Sequence, residues 1–142
     1  MPSSAEYYLQ KIWENMGGGG EREVIALPAT IRTGSTVVDL TNDSNYRGAY
    51  IITDITAVPG GGQTIQIFID MYNPATGQYT VIAQSATITI VSVHKFIVCP
   101  GITDTDSEFT KVTQVALTKR WRIRILHSAG GNWNYSVGVN YV

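Results

Sequence analysis

From residue 35 onward the sequence is a succession of short alternating or β-branched runs divided by turn residues, and this pattern restricts the fold more than any other feature. Apolar and polar residues alternate with the period of a half-buried strand at 64–72, 121–125 and 135–141. Clusters of Gly, Pro, Asn and Asp separate the runs at intervals of roughly ten residues. Because no helical period occurs among them, we predict an all-β fold, an antiparallel, jelly-roll-like β-sandwich, over residues 35–142.

Two runs of the predicted sandwich are less regular than the others. The long β-branched run 87–99 is expected to form one strand, because Pro100 and Gly101 stop it only at its end. The run 112–117 is expected to form a shorter strand after a polar loop.

Residues 1–34 differ in character from the rest and are expected to form an N-terminal arm. An apolar stripe at helical spacing, after a capping-box pair, predicts a helix over about 4–16. The four glycines at 17–20 have no structural preference and are expected to act as a hinge. A short extended segment at 23–27 is expected to end at Pro28.

The predicted arm helix needs something to dock on, because an isolated helix of this length is marginal in water. Trp and Tyr side chains are frequent anchors of protein interfaces. We therefore take the stripe as the set of candidate partner-binding residues: Tyr8, Leu9, Ile12, Trp13 and Met16.

The composition of the 142 residues argues against several classes of protein. The formal net charge is −1, so the chain lacks the general positive field of nucleic-acid-binding proteins and the polybasic signal of proteins that bind anionic membranes. No apolar run is long enough to span a bilayer, and the first residues lack the features of a secretory signal. The single cysteine rules out a disulfide framework.

Few residues are suited to catalysis. His94 and His127 are the two histidines, and Cys99 is the one thiol, too few soft ligands for a structural zinc site. No Gly-x-Ser-x-Gly nucleophile motif occurs. We interpret both histidines as ordinary strand residues and Cys99 as a small buried residue, and we expect the protein not to be an enzyme.

Two other patterns have the appearance of ligand sites. Asp104, Asp106 and Glu108 alternate as calcium ligands can, but the glycine and later glutamate of an EF-hand are missing, so we interpret them as part of a solvated loop. The glycine runs 17–20 and 60–62 lack the Lys-Ser/Thr of a phosphate loop. We therefore expect no metal and no cofactor.

Some charged and aromatic residues are candidates for surface contacts. Alternation places Arg122 and Arg124 on the opposite side of their strand from Trp121, on a solvated or subunit-contacting face where Arg is favoured. Lys119 and Arg120 extend this basic cluster, and the acids Asp54 and Asp70 receive the same interpretation. Four aromatic residues near strand ends either pack or form a platform for a sugar: Tyr72, Tyr79, Trp133 and Tyr135.

The succession of turn and strand motifs over residues 45–142 resembles that of a family of small tailed-bacteriophage virion proteins, the capsid decoration or cement proteins. The resemblance is carried by the following motifs: RGAYI at 47–51, DITA at 54–57, TIQI at 64–67 with Asp70, NPATGQY at 73–79, VIA at 81–83, VCPGI at 98–102, RWRI at 120–123 and YSVGV at 135–139.

The resemblance implies a jelly-roll-like sandwich without catalytic residues or a cofactor. It implies that the chain binds the major capsid protein on the outer face of the assembled shell and associates with itself, as a homotrimer. It also implies a virion location after synthesis in the cytoplasm of the bacterial host. The arm at 1–34 is not covered by the resemblance, and the arm helix is expected to anchor either on the shell or on a neighbouring copy.

Two alternatives remain open at this stage. One is another virion role, such as a tail or head–tail accessory protein with the same sandwich. The other is a carbohydrate-binding module that uses exposed aromatic rings.

Overall fold

The alternation of apolar and polar residues gives each strand one apolar side. The chain buries these apolar sides by packing two sheets together. The computed structural model describes residues 23–102 and 109–142. The all-β sandwich is confirmed over these residues. The predicted helix at about 4–16 and the glycine hinge at 17–20 lie outside them.

The described part of the chain contains nine strands. They are β1 (Glu23–Arg32), β2 (Thr36–Thr41), β3 (Ala49–Ala57), β4 (Ile65–Asn73), β5 (Gln78–Gln84), β6 (Ser92–Val98), β7 (Lys111–Thr113), β8 (Arg120–His127) and β9 (Trp133–Tyr141).

The strands form a five-stranded sheet with the order β1-β9-β3-β6-β7 and a four-stranded sheet with the order β2-β8-β4-β5. All neighbours are antiparallel except β6 and β7, which run parallel. Strands β1 to β4 alternate between the two sheets, and β9 returns to lie between β1 and β3. With the short β7 set aside, this is the connectivity of a jelly roll.

The core lies between the two sheets, and strand periodicity fills it. Strand β9 alternates buried and half-buried residues along its whole length, and β8 directs Trp121, Ile123 and Ile125 inward. The indoles of Trp121 and Trp133 are fully buried. Because consecutive side chains of a strand point to opposite faces, the arginines of β8 must point outward.

Strand β1 is longer than the sequence predicts, and it joins the sandwich. The predicted segment 23–27 continues past Pro28 to Arg32 and pairs with β9, so these residues of the expected arm form an edge strand of the five-stranded sheet. The pairing register shifts between Leu27 and Thr30. A proline is tolerated there because an edge strand has one side without ladder partners.

The run 87–99 also differs from its prediction. Only Ser92–Val98 forms a strand, whereas Ile88 makes an isolated bridge to Ile65 and the side chains of Ile90 and Val91 are exposed. On the outer face of the five-stranded sheet, Ile102 and Phe109 pack on Ile97, Cys99 and Val142 as a second apolar cluster.

Two glycines give a matched test of the packing around β9. A Cβ on the buried Gly48 would lie 2.1 Å from the carbonyl oxygen of Val98 and 2.7 Å from Cβ of Cys99, whereas a Cβ on Gly138 would meet nothing within 4 Å. We expect Gly48→Ala to lower the free energy of unfolding by about 1–3 kcal/mol, because backbone must move. Gly138→Ala should leave it equal or slightly higher. Urea unfolding of both variants checks this, and equal stabilities would contradict it.

Candidate interaction surface

The outer face of the four-stranded sheet carries the most highly organised set of polar and aromatic side chains in the described residues. Strand β8 supplies arginines at every second position. The pairing of β4 with β8 sets Asp70 opposite Arg122 and Phe68 opposite Arg124, and β5 sets Tyr79 opposite Tyr72. We call this set the arginine–aromatic face: Phe68, Asp70, Tyr72, Tyr79, Arg120, Arg122 and Arg124.

Asp70 is the central group of this face. Its Oδ2 accepts a hydrogen bond from Nε of Arg122 at 2.7 Å and another from Nε of Arg124, whose Nη2 also donates to Oδ1 at 3.2 Å. The Asp70 side chain is 1% exposed, and the two arginine side chains are 27% and 22% exposed. A carboxylate so far out of water needs such charged, hydrogen-bonded partners, because an unpaired buried charge is costly.

Aromatic rings hold all three guanidinium groups in place. The Cζ atom of Arg120 lies 3.8 Å from the ring centre of Tyr72, that of Arg122 lies 4.0 Å from Tyr79, and that of Arg124 lies 4.6 Å from Phe68. Attraction between a cation and a ring face adds to each contact. Stacking also restricts side chains that otherwise have many rotamers, so this face is organised before any partner arrives.

Exposed aliphatic side chains surround this network on the same face. Val37 lies opposite Arg124 and is 54% exposed, Val81 lies opposite Asp70, and Leu126 follows Arg124 by two residues. Arginine and aromatic residues are enriched at protein–protein interfaces, and the exposed aliphatic side chains add apolar area to the same surface. The geometry is therefore that of a flat contact surface rather than of a cleft.

The aromatic residues that the sequence offered for sugar binding are distributed differently. Trp133 and Tyr135 are fully buried, so neither ring is available to a sugar. Tyr72 and Tyr79 do lie on the outer face, but their rings meet at an interplanar angle of 63° and each has a guanidinium group over it. Sequence periodicity alone does not predict this burial, because it does not show which side of β9 faces the other sheet.

The histidines lie in separate hydrogen-bond networks. His127 Nε2 is 2.8 Å from the hydroxyl of Tyr135, which is 3.0 Å from Oγ1 of Thr36. His94 Nε2 is 2.9 Å from Oγ of Ser92, and its Nδ1 is 3.3 Å from Oγ1 of Thr110. Neither histidine has a carboxylate neighbour among these contacts, which are those of strand residues that anchor adjacent loops and strands.

The remaining sequence candidates are located as follows. Cys99 is buried, and burial raises the pKa of its thiol although the nearby charge of Arg47 lowers it. The glycines at 60–62 all have positive φ angles, as a tight turn after β3 requires. Two groups of candidates lie outside the described residues: the acids Asp104, Asp106 and Glu108, and the five partner-binding candidates of the arm.

Within residues 23–102 and 109–142, no group of three His, Cys, Asp or Glu side chains is suited to a metal, and no helix has the length and apolarity to cross a bilayer.

Comparisons with known proteins give only distant similarities. No family model and no curated protein matches the chain. Among solved structures, the Yersinia pseudotuberculosis-derived mitogen has 12% identity and a TM-score of 0.45, over 84% of this chain and 86% of that one. A structure of infectious bursal disease virus, Gx strain, has 13% identity and a TM-score of 0.43 over 82% of this chain and 31% of that one. Xylanase10C from Cellvibrio japonicus, in complex with xylopentaose, has 13% identity and a TM-score of 0.41 over 89% and 26%. These values carry no argument about function.

The role of Asp70 can be tested through stability. Asp70→Asn keeps the shape of the side chain but leaves two guanidinium groups without their counter-ion. We expect the free energy of unfolding to fall by about 1–3 kcal/mol, less than for a fully buried pair because both arginines reach water. The matched control is Asp39→Asn on the same sheet, where the side chain is exposed and the change should stay within about 0.5 kcal/mol. Equal losses in urea unfolding would contradict the central role of Asp70.

The two half-buried histidines predict how the free energy of unfolding depends on pH. Burial lowers the pKa of His94 and His127 below the ordinary value of 6.5, and the charge of Arg32 lowers that of His127 further. The unfolded chain therefore binds protons that the folded chain does not, so the free energy of unfolding should fall as the pH drops from about 7.5 to 5.5. Thermal unfolding across this range should show a smaller fall for the H94Q/H127Q variant. An unchanged pH profile in that variant would contradict the assignment.

Proposed function

We propose that this chain is a structural protein of a tailed-bacteriophage virion, a capsid decoration protein that binds the outer face of the assembled shell. The observation that carries the proposal is the arginine–aromatic face, a flat and pre-organised contact surface on a jelly-roll sandwich. The sequence resemblance over residues 45–142 supports the same role. In this proposal the protein is not an enzyme and requires no metal or cofactor.

The physical basis of such a role is preferential binding to one state. A protein that binds assembled shell subunits but not free ones stabilises the shell by mass action. Many copies on one particle multiply a modest contact. Stacked guanidinium groups suit this task, because side chains that are already ordered lose little entropy when a partner binds.

The N-terminal arm provides the second contact in this proposal. The apolar stripe of the predicted helix, from Tyr8 to Met16, anchors on the shell or on a neighbouring copy. Self-association as a homotrimer on the virion surface would place several arms and several sandwich faces against the major capsid protein together.

The proposal is tested with heads of the phage that encodes this chain, prepared without it. We expect the purified chain to co-sediment with the heads up to a saturating level of hundreds of copies per particle, and to raise the temperature at which the heads break. Quantitative gel analysis of sedimented heads gives the copy number. Saturation at a few copies would favour the tail or head–tail alternative, and absence of binding would overturn the proposal.

Two variants separate the contributions of the arm and the face. A chain that begins at residue 21 tests the arm, and it should bind heads at lower occupancy. R120E changes an exposed arginine of the face, and its matched control is K111E, an exposed lysine on β7. Unchanged occupancy in the shortened chain would overturn the anchoring role of the arm without affecting the role of the face.

A further inference from the structure

The charges of the four-stranded sheet are unevenly distributed across its outer face. Asp39 of β2 is exposed and lies directly opposite Arg122 of β8 in the pairing register. Among the described residues, its carboxylate has no hydrogen bond or ion pair. Arg120 is also exposed, and its guanidinium contacts a ring but has no carboxylate partner within residues 23–102 and 109–142. Asp39 and Arg120 are therefore the acid and the base of this face without an ion-pair partner, whereas Arg122 and Arg124 share the single charge of Asp70.

The reason that these two charges do not neutralise each other lies in the stacking. Tyr72 and Asp70 belong to β4, on the other side of β8 from β2. They draw Arg120 and Arg122 toward β4 and away from Asp39. Asp39 and Arg120 are one strand and two residues apart, which corresponds to about 8 Å between Cα atoms. The separation is fixed by the sheet, and the stacked arginine cannot reach across without giving up its ring contact.

A partner surface whose charges are all of one sign would form an ion pair with only one of these two groups. An acidic surface would pair with Arg120 and be repelled by Asp39, and a basic surface would do the reverse. A second copy of the same face, related by a two-fold axis, satisfies both, because each Asp39 meets the Arg120 of the other copy. The exposed Val37, Val81 and Leu126 then supply apolar area to the same contact.

We propose that the arginine–aromatic face is a two-fold contact between copies of this chain, in which Asp39 of each copy pairs with Arg120 of the other. This inference goes beyond the proposed function, because an isologous two-fold contact joins a pair of copies and is distinct from the three-fold contacts of a homotrimer. A copy whose face is paired in this way does not present that face to the shell, so the inference does not depend on shell binding. The sheet face is only about 20 Å across, so the contact is small and should form at high protein concentration.

The test is an exchange of charges between two variants. D39R carries arginine at both positions, and R120D carries aspartate at both. Each variant alone places like charges opposite each other, and we expect its self-association to weaken at least about tenfold relative to the unaltered chain. An equal mixture of the two restores both pairs and should associate as strongly as the unaltered chain. Sedimentation velocity over a wide concentration range measures all three samples.

Matched controls come from the other sheet. D54R and K111D make the same charge changes at exposed positions of the five-stranded sheet, and they should leave association unchanged. Thermal unfolding of each variant confirms that the fold is intact, as expected for exposed side chains. A monomeric unaltered chain at every concentration, or a mixture that fails to associate, would overturn the proposal.

The outcomes separate this inference from the proposed function. Head binding without association through this face would overturn the inference and leave the decoration role in place. Association with charge-exchange rescue, but without head binding, would support the inference and overturn the decoration role.

Discussion

Strand β8 connects the interior of the sandwich to its candidate interaction surface, and much of the structure depends on its two-sided character. One side packs Trp121, Ile123 and Ile125 into the core, and the other presents three arginines. Because β8 lies between β2 and β4, its position is fixed by ladders on both sides. The core therefore positions the arginines, and a loss of packing on the inner side would also disturb the outer face.

The outer face of the four-stranded sheet brings three arginines close together and places one buried carboxylate between two of them. Arginines at every second position of one strand repel one another, and two of them share the single charge of the buried Asp70 carboxylate. Aromatic rings on β4 and β5 then hold the guanidinium groups flat on the sheet. Among the described residues, the same arrangement leaves the Asp39 carboxylate and the Arg120 guanidinium without an ion-pair partner.

The sequence predicted this region only in part. It placed Arg122 and Arg124 on the face opposite Trp121 and identified that face as solvated or subunit-contacting, because alternation is a local property. It did not join Asp70 to these arginines. Asp70 and Arg122 are 52 residues apart in the chain, and nothing in either segment specifies that β4 pairs with β8 in this register. The stacking of Tyr79 under Arg122 depends on a further strand pairing.

The sequence by itself determined that the chain forms strands, where most of them lie, and which residues of each strand share a side, because a period of two follows from backbone geometry. Only the tertiary structure decided that β1 is an edge strand of the sandwich, that Trp133 and Tyr135 are buried, and that an acid, three arginines and three rings meet on one face. These features depend on which distant strands become neighbours. Neighbours are chosen by the packing of the whole core, and no short segment contains that information.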